Sequence, residues 1–206
     1  MIEAFLPAAS TYARDIDQLI TLVAVLVGAW FALCYVIFFW FLWRYRARAG
    51  HKGEYVTGEL WADKRFITIP HLLVLVCDVF IIFGSVQVWV NVKQTLPPAD
   101  ATVRVIGQQW AWTFIHPGPD GKLETEDDIV TIDELHLERG KTYHYELASR
   151  DVIHSFSVPV FRLKQDAIPG RIIKGWFTPT QTGNYSIQCA EICGIGHGLM
   201  AARIVI

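Results

Sequence analysis

A chain of 206 residues with 18 Lys and Arg against 20 Asp and Glu, a net charge of −2 and 52% hydrophobic residues has room for one folded domain plus membrane segments. So even a charge balance supplies no strongly basic face, and nucleic acid is excluded as an expected partner.

The first predicted element is a membrane helix. Leu19 to Trp43 carries no charge over about 25 residues, and at about 1.5 Å per residue such a helix crosses a hydrocarbon core of about 30 Å. A cleaved signal peptide would place a basic region before a shorter apolar core; here Glu3, Arg14, Asp15 and Asp17 precede a longer one. Phe66 to Val92 is the second predicted helix, interrupted only by His71 and Asp78. These two ionisable residues share a helix face and call for a partner in the membrane, through an interhelical hydrogen bond or a proton path. Cys34 and Cys77 lie inside the two helices and read as buried small apolar residues. Between the helices, Arg44, Arg46, Arg48, His51, Lys52, Lys64 and Arg65 form a short basic connection, which the positive-inside rule places in the cytoplasm. The N-terminus and everything after Val92 are then expected on the periplasmic side of an inner membrane. The expected division is a helical hairpin over 1–95 and a periplasmic domain over 96–206.

Beyond Val92 the pattern changes to short alternating runs, with Leu96ProProAlaAsp100 as the linker. Strands are expected at Val103–Phe114, Ile129–Leu137, Lys141–Ala148, Ile153–Val160, Arg171–Phe177, Gly183–Cys189 and Ala201–Ile206. With no helical crossovers between them, these strands predict a Greek-key sandwich rather than a parallel sheet.

The loop joining the last two strands, Cys189AlaGluIleCysGlyIleGlyHisGlyLeuMet200, gathers two thiols, an imidazole and a thioether. Thiolate and thioether sulfur favour copper while imidazole suits copper and zinc, so the set points first to copper. A second imidazole is expected from earlier in the chain. His154 is the best placed, because it opens a segment that alternates Phe156 and Val158 on one face.

Gln109TrpAlaTrp112, Asp151ValIleHisSerPheSerValPro159, Leu163LysGlnAspAlaIleProGlyArg171 and the Cys189–Met200 loop together resemble subunit II of the haem-copper cytochrome c oxidases, over nearly the whole chain. The resemblance implies two N-terminal transmembrane helices followed by an all-β cupredoxin sandwich with a dinuclear copper centre, Cu-A. It implies Cys189 and Cys193 as bridging thiolates, His154 and His197 as ligands to one copper each, Met200 as a weak thioether ligand and Glu191 as a backbone carbonyl ligand. The Glu191 side chain is implied on a magnesium ion at the interface with the catalytic subunit I. Trp110 takes the position where an electron arrives from a c-type cytochrome, and Asp151 a position where that cytochrome docks. Asp63 falls near the mouth of a proton pathway, and Arg171 at a contact with subunit I near its haem propionates. Trp112 is expected in the core. Three departures stand out: Ala111 replaces an aromatic between the two tryptophans, Asp63 replaces the usual glutamate, and Lys64 and Arg65 replace apolar residues.

The expected function is therefore a subunit of a terminal respiratory oxidase that passes electrons from cytochrome c through Cu-A to haem in subunit I, where oxygen reduction and proton pumping take place. No CysXxxXxxCysHis occurs, so no fused haem c domain is expected and the donor is a separate molecule or subunit. The acidic stretch Glu124–Asp128 reads either as part of a negative docking surface with Asp151 or as an ordinary solvated loop, with Asp151 the better candidate, and Pro119AspGly with the acids that follow is only a faint calcium-binding pattern. Among the rivals, a quinol oxidase subunit shares the architecture but lacks the copper ligands. A membrane-anchored copper chaperone of thioredoxin fold needs a full α/β domain after the cysteines, and a structural disulfide between Cys189 and Cys193 leaves His197 and Met200 without a purpose. The Cu-A subunit of a nitric oxide reductase has the same appearance in this chain.

Overall fold

The computed structural model describes residues 2–50, 52, 53 and 55–206; His51 of the basic connection lies outside the described residues. The chain divides into two compact units, one of residues 18–88 and one that joins residues 1–17 to residues 89–206.

The first unit is the helical hairpin. Helix α1 (Ala13–Arg44) and helix α2 (Trp61–Trp89), the latter prolonged by a π turn over Val90–Gln94, both exceed the expected spans. Within Ala13–Arg44 and Trp61–Gln94, 18-residue stretches reach mean hydropathies of 2.6 and 2.4, long and apolar enough to cross a membrane. The helices meet where the Trp30 indole donates to Cys77 Sγ at 3.4 Å and where Gly84 leaves room for Leu19. Cys34, expected to be buried, is exposed, as are His71 and Asp78. Two helices cannot cover their own outer faces, and that apolar surface is left for lipid or another chain.

The second unit is a β-sandwich of two five-stranded sheets, with ten strands among the described residues instead of the expected seven. One sheet has the order β3-β2-β1-β5-β8 and the other β4-β10-β9-β6-β7. β1 (Ala101–Gln108) and β2 (Ala111–His116) form a hairpin where a single strand, Val103–Phe114, was expected. The chain breaks at Gln109 because tertiary contacts claim it: its N–H goes to Asp151 and its side-chain amide to the Cys193 carbonyl. The expected strand Ile129–Leu137 likewise splits into β3 (Ile129–Ile132) and β4 (Glu134–His136), which lie in different sheets. Asp133 turns the corner in the left-handed region (φ 55), and its carboxylate and N–H both bond to the backbone of Trp112 at 2.8 Å.

β5 (Tyr143–Ser149), β6 (His154–Val158), β8 (Ile173–Phe177), β9 (Asn184–Cys189) and β10 (Ala201–Val205) follow the remaining expectations to within a few residues. β7 (Leu163–Ala167) was not expected; it is an edge strand whose middle, Lys164 to Asp166, shows no apolar alternation. Inward residues of both sheets make one core centred on Phe156, which meets Trp112 at 5.4 Å and Tyr145 at 6.4 Å between ring centroids. Trp112 is fully buried, as expected.

Residues before α1 belong with this sandwich, not with the hairpin that a boundary at residue 95 would give. Ala9 exchanges backbone hydrogen bonds with Val160 and Thr180, and Tyr12 packs edge-on against Trp176 at 5.2 Å. Arg162 locks the segment in place. Its five N–H groups donate to both carboxylate oxygens of Asp17 and to the carbonyls of Leu6, Pro7 and Pro159, at 2.7–3.0 Å.

Candidate metal centre

Strand pairing brings the chemistry to one end of the sandwich. His154 opens β6, Cys189 closes β9, and these strands run antiparallel with Phe156 opposite Cys189. The loop 190–200 then returns to β10, closed at its base by the Cys189 N–H donating to the Met200 carbonyl at 3.1 Å.

Inside that loop the donor atoms converge. Cys189 Sγ and Cys193 Sγ are 3.8 Å apart. Cys189 Sγ lies 3.9 Å from His154 Nδ1 and 3.2 Å from the Glu191 carbonyl oxygen. Cys193 Sγ lies 3.6 Å from His197 Nδ1 and 3.8 Å from Met200 Sδ. Ligand bonds of about 2.0–2.3 Å in a tetrahedral arrangement require donor atoms about 3.3–3.8 Å apart, so the residues present fit a metal without large movement. His154, Cys193 and Met200 are buried, Cys189 and His197 are partly exposed, and Glu191 directs its side chain to solvent.

Local electrostatics act on the donors in different ways. Burial, and then the neighbouring Cys189, push the Cys193 thiol up to about 11, so a metal must displace a firmly held proton there. Nε2 of His154, the nitrogen not facing Cys189, lies 2.8 Å from Asp151 Oδ1. Burial raises the Asp151 pKa, but hydrogen bonds from the Gln109 N–H, His154 and the Val152 N–H outweigh it and leave the carboxyl below its ordinary range.

Trp110 covers the loop from outside. Its indole N–H donates to the Cys193 carbonyl at 3.1 Å, alongside the Gln109 amide at 2.8 Å, and the ring remains 38% exposed. Glycine is required beneath it. Gly194 sits at φ +118, and a Cβ on Gly196 would run into the Trp110 ring. Gly107 plays the same part behind His154, where a Cβ would stand 3.0 Å from the imidazole Cδ2.

The fold thus gathers His154, Cys189, Glu191, Cys193, His197 and Met200, with Trp110 and Asp151 beside them. It leaves Asp63 in the first turn of α2 and Arg171 exposed just before β8. Reasoning from the sequence named Gln109 only as part of a matching motif and missed both it and Gly107 as supports; for Gly107 the signal was a glycine just before that motif.

A sandwich with a sulfur-rich metal cradle at one end, in a chain with two helices fit to cross a membrane, defines a membrane-bound protein of cupredoxin type. Residues 101–206, a little over half of the chain, match the family model for the periplasmic domain of cytochrome c oxidase subunit II, and the chain belongs to that family. It is 40% identical over 132 residues to the alternative cytochrome c oxidase subunit 2 of Bradyrhizobium diazoefficiens, a match covering 53% of this chain and 48% of that protein. The similarity to cytochrome c oxidase subunit 2 of Cereibacter sphaeroides is 28% over 230 residues, covering 97% of this chain and 74% of that one. The chain therefore spans about half the length of the first of these relatives. Among solved structures, the periplasmic domain of subunit II (CoxB) from Bradyrhizobium japonicum is 32% identical, covering 54% of this chain and 86% of its own, with a TM-score of 0.47.

Proposed function

We propose that this chain is the electron-accepting subunit of a haem-copper terminal oxidase, with two copper ions held by Cys189, Cys193, His154, His197, Met200 and the Glu191 carbonyl. The observation that carries the reading is the repetition within the cradle. Each thiol has one imidazole nitrogen and one weak donor of its own, at 3.9 and 3.2 Å for Cys189 and 3.6 and 3.8 Å for Cys193. A single metal needs one such set; two sets flanking a thiol pair suit two metals sharing both sulfurs.

When bound, the copper pair supplies a one-electron acceptor whose charge is spread over two metals and two sulfurs. The protein keeps the donors in place. β6 and β9 fix His154 and Cys189, Asp151 holds the outer nitrogen of His154, and the buried thioether of Met200 excludes water from Cys193. Trp110 offers an exposed ring bonded directly to the Cys193 carbonyl, a short path inward for an electron from a c-type cytochrome. On the Cys193 loop the residues Ile192, Ile195 and Leu199 are 82%, 96% and 87% exposed, an apolar surface suited to a protein partner.

In this reading the sandwich lies on the periplasmic side and the basic connection in the cytoplasm. Arg171 and the Glu191 side chain face subunit I, the latter with magnesium, and Asp63 lies near a proton pathway. Oxygen reduction and proton pumping belong to subunit I. The test is reconstitution of the full chain in detergent with copper: two copper ions per chain and a seven-line paramagnetic resonance pattern are expected, both lost in Cys193→Ser. One copper per chain with a four-line pattern sinks the proposal.

A further inference from the structure

At the other end of β2 from Trp110 lies a second pair of imidazoles. β2 runs from Ala111 to His116, and at about 3.4 Å per residue its last residue stands well away from the thiol pair. His116 from one sheet and His136 from the other line a common cavity of about 430 Å³, together with Thr131, Glu138 and Tyr143. His116 Nε2 is buried and has no hydrogen-bond partner among the described residues. Buried polar atoms are almost always satisfied, so one left over in a residue that lines a cavity points to a guest supplying the missing bond.

Both rings have a geometry suited to a Lewis base. Burial, and then the nearby His136, hold the His116 pKa below the ordinary histidine value, which favours the neutral ring. His136 Nε2 lies 2.8 Å from Glu134 Oε1, while the other oxygen of Glu134 is 2.8 Å from Arg203. In the neutral tautomer whose Nε2–H donates to that carboxylate, the lone pair of His136 is on Nδ1. A carboxylate behind one ring nitrogen is the usual way of orienting an imidazole whose other nitrogen binds metal.

We propose that His116 and His136 form a second metal site on the sandwich, taking a divalent transition ion that favours imidazole, such as zinc, with solvent completing its coordination. A trapped water would satisfy His116 without engaging His136. The site shares no residue with the Cys189–Met200 loop and does not depend on the copper reading.

The test is zinc uptake by the full chain in detergent, with the thiols occupied by copper or, failing that, capped by alkylation. Equilibrium dialysis should find one zinc per chain. His116→Ala and His136→Ala should each abolish uptake, Glu134→Gln should weaken it about tenfold, and His144→Ala should bind as the parent does. His136 is exposed, so its variant decides the matter even if His116→Ala does not fold. No uptake at millimolar zinc, or uptake indifferent to both substitutions, overturns the proposal and leaves a water-filled cavity.

Discussion

Asp151 Oδ1 stands 2.8 Å from Nε2 of His154, on the side of the ring opposite the Nδ1 that faces Cys189. The same carboxylate accepts the N–H groups of Gln109 and Val152 at 2.7 Å each. Its oxygens are engaged within the protein, so Asp151 acts on His154 whatever it contributes to cytochrome docking. Asp151→Ala is expected to lower copper affinity about 10–100-fold, read by competition with a copper chelator. Copper retention equal to the parent, with only a salt-sensitive change in cytochrome association, would reduce Asp151 to a docking charge.

Trp110 hydrogen-bonds the metal cradle at the Cys193 carbonyl, a bond that Gln109 duplicates, and otherwise rests its ring on Gly194 and Gly196. Trp110→Ala should therefore slow oxidation of a reduced c-type cytochrome while leaving copper content unchanged. Loss of copper would instead mark the indole as a support of the loop.

Gly107 has no room for a side chain, with His154 Cδ2 at 3.0 Å and Trp112 Cζ3 at 3.2 Å from where a Cβ would stand. Gly107→Ala should cost about 1–3 kcal/mol of stability through overpacking and shift the copper absorption bands as His154 moves. Denaturant melts and visible spectra of the loaded protein measure both effects.

Arg162 and Asp17 form a pair with side chains only 7% and 11% exposed. Arg162→Ala removes the guanidinium and should cost about 3–5 kcal/mol, the usual effect of breaking a buried pair from one side. Limited proteolysis should then cut within residues 2–12 faster than in the parent; equal protection would show that the Ala9 and Tyr12 contacts suffice.

Glu146 is held below the usual carboxylate range chiefly by Arg104 at 2.9 Å, with Lys174 at 3.1 Å assisting. A depressed folded-state pKa contributes stability that is present above the unfolded value of about 4.3 and lost as pH falls through the folded one. Glu146→Gln should thus be less stable than the parent by about 1.5–3 kcal/mol at pH 7, with the gap closing below about pH 4. A gap independent of pH would assign the loss to packing.

The metal cradle was legible because most of its donors lie in one loop, Cys189 to Met200, and the remaining one opens a strand of clear alternation. The two helices were legible by length and apolarity. The strand breaks at Gln109 and Asp133 were not, since neither carries a Gly or Pro and both depend on partners distant in sequence. Nor was the docking of residues 2–17. Ala8, Ala9 and Ser10 carry no periodic signal, and Arg162, which holds the segment, lies 145 positions beyond Asp17.

Because the sandwich draws on both sides of the hairpin in the sequence, cutting the chain at Leu96 leaves part of its contacts behind. Such a fragment would strip Tyr12 from Trp176 and take the Asp17, Leu6 and Pro7 acceptors from Arg162. A version without the hairpin keeps these contacts if the 2–17 segment is spliced on as a fused peptide or supplied in trans.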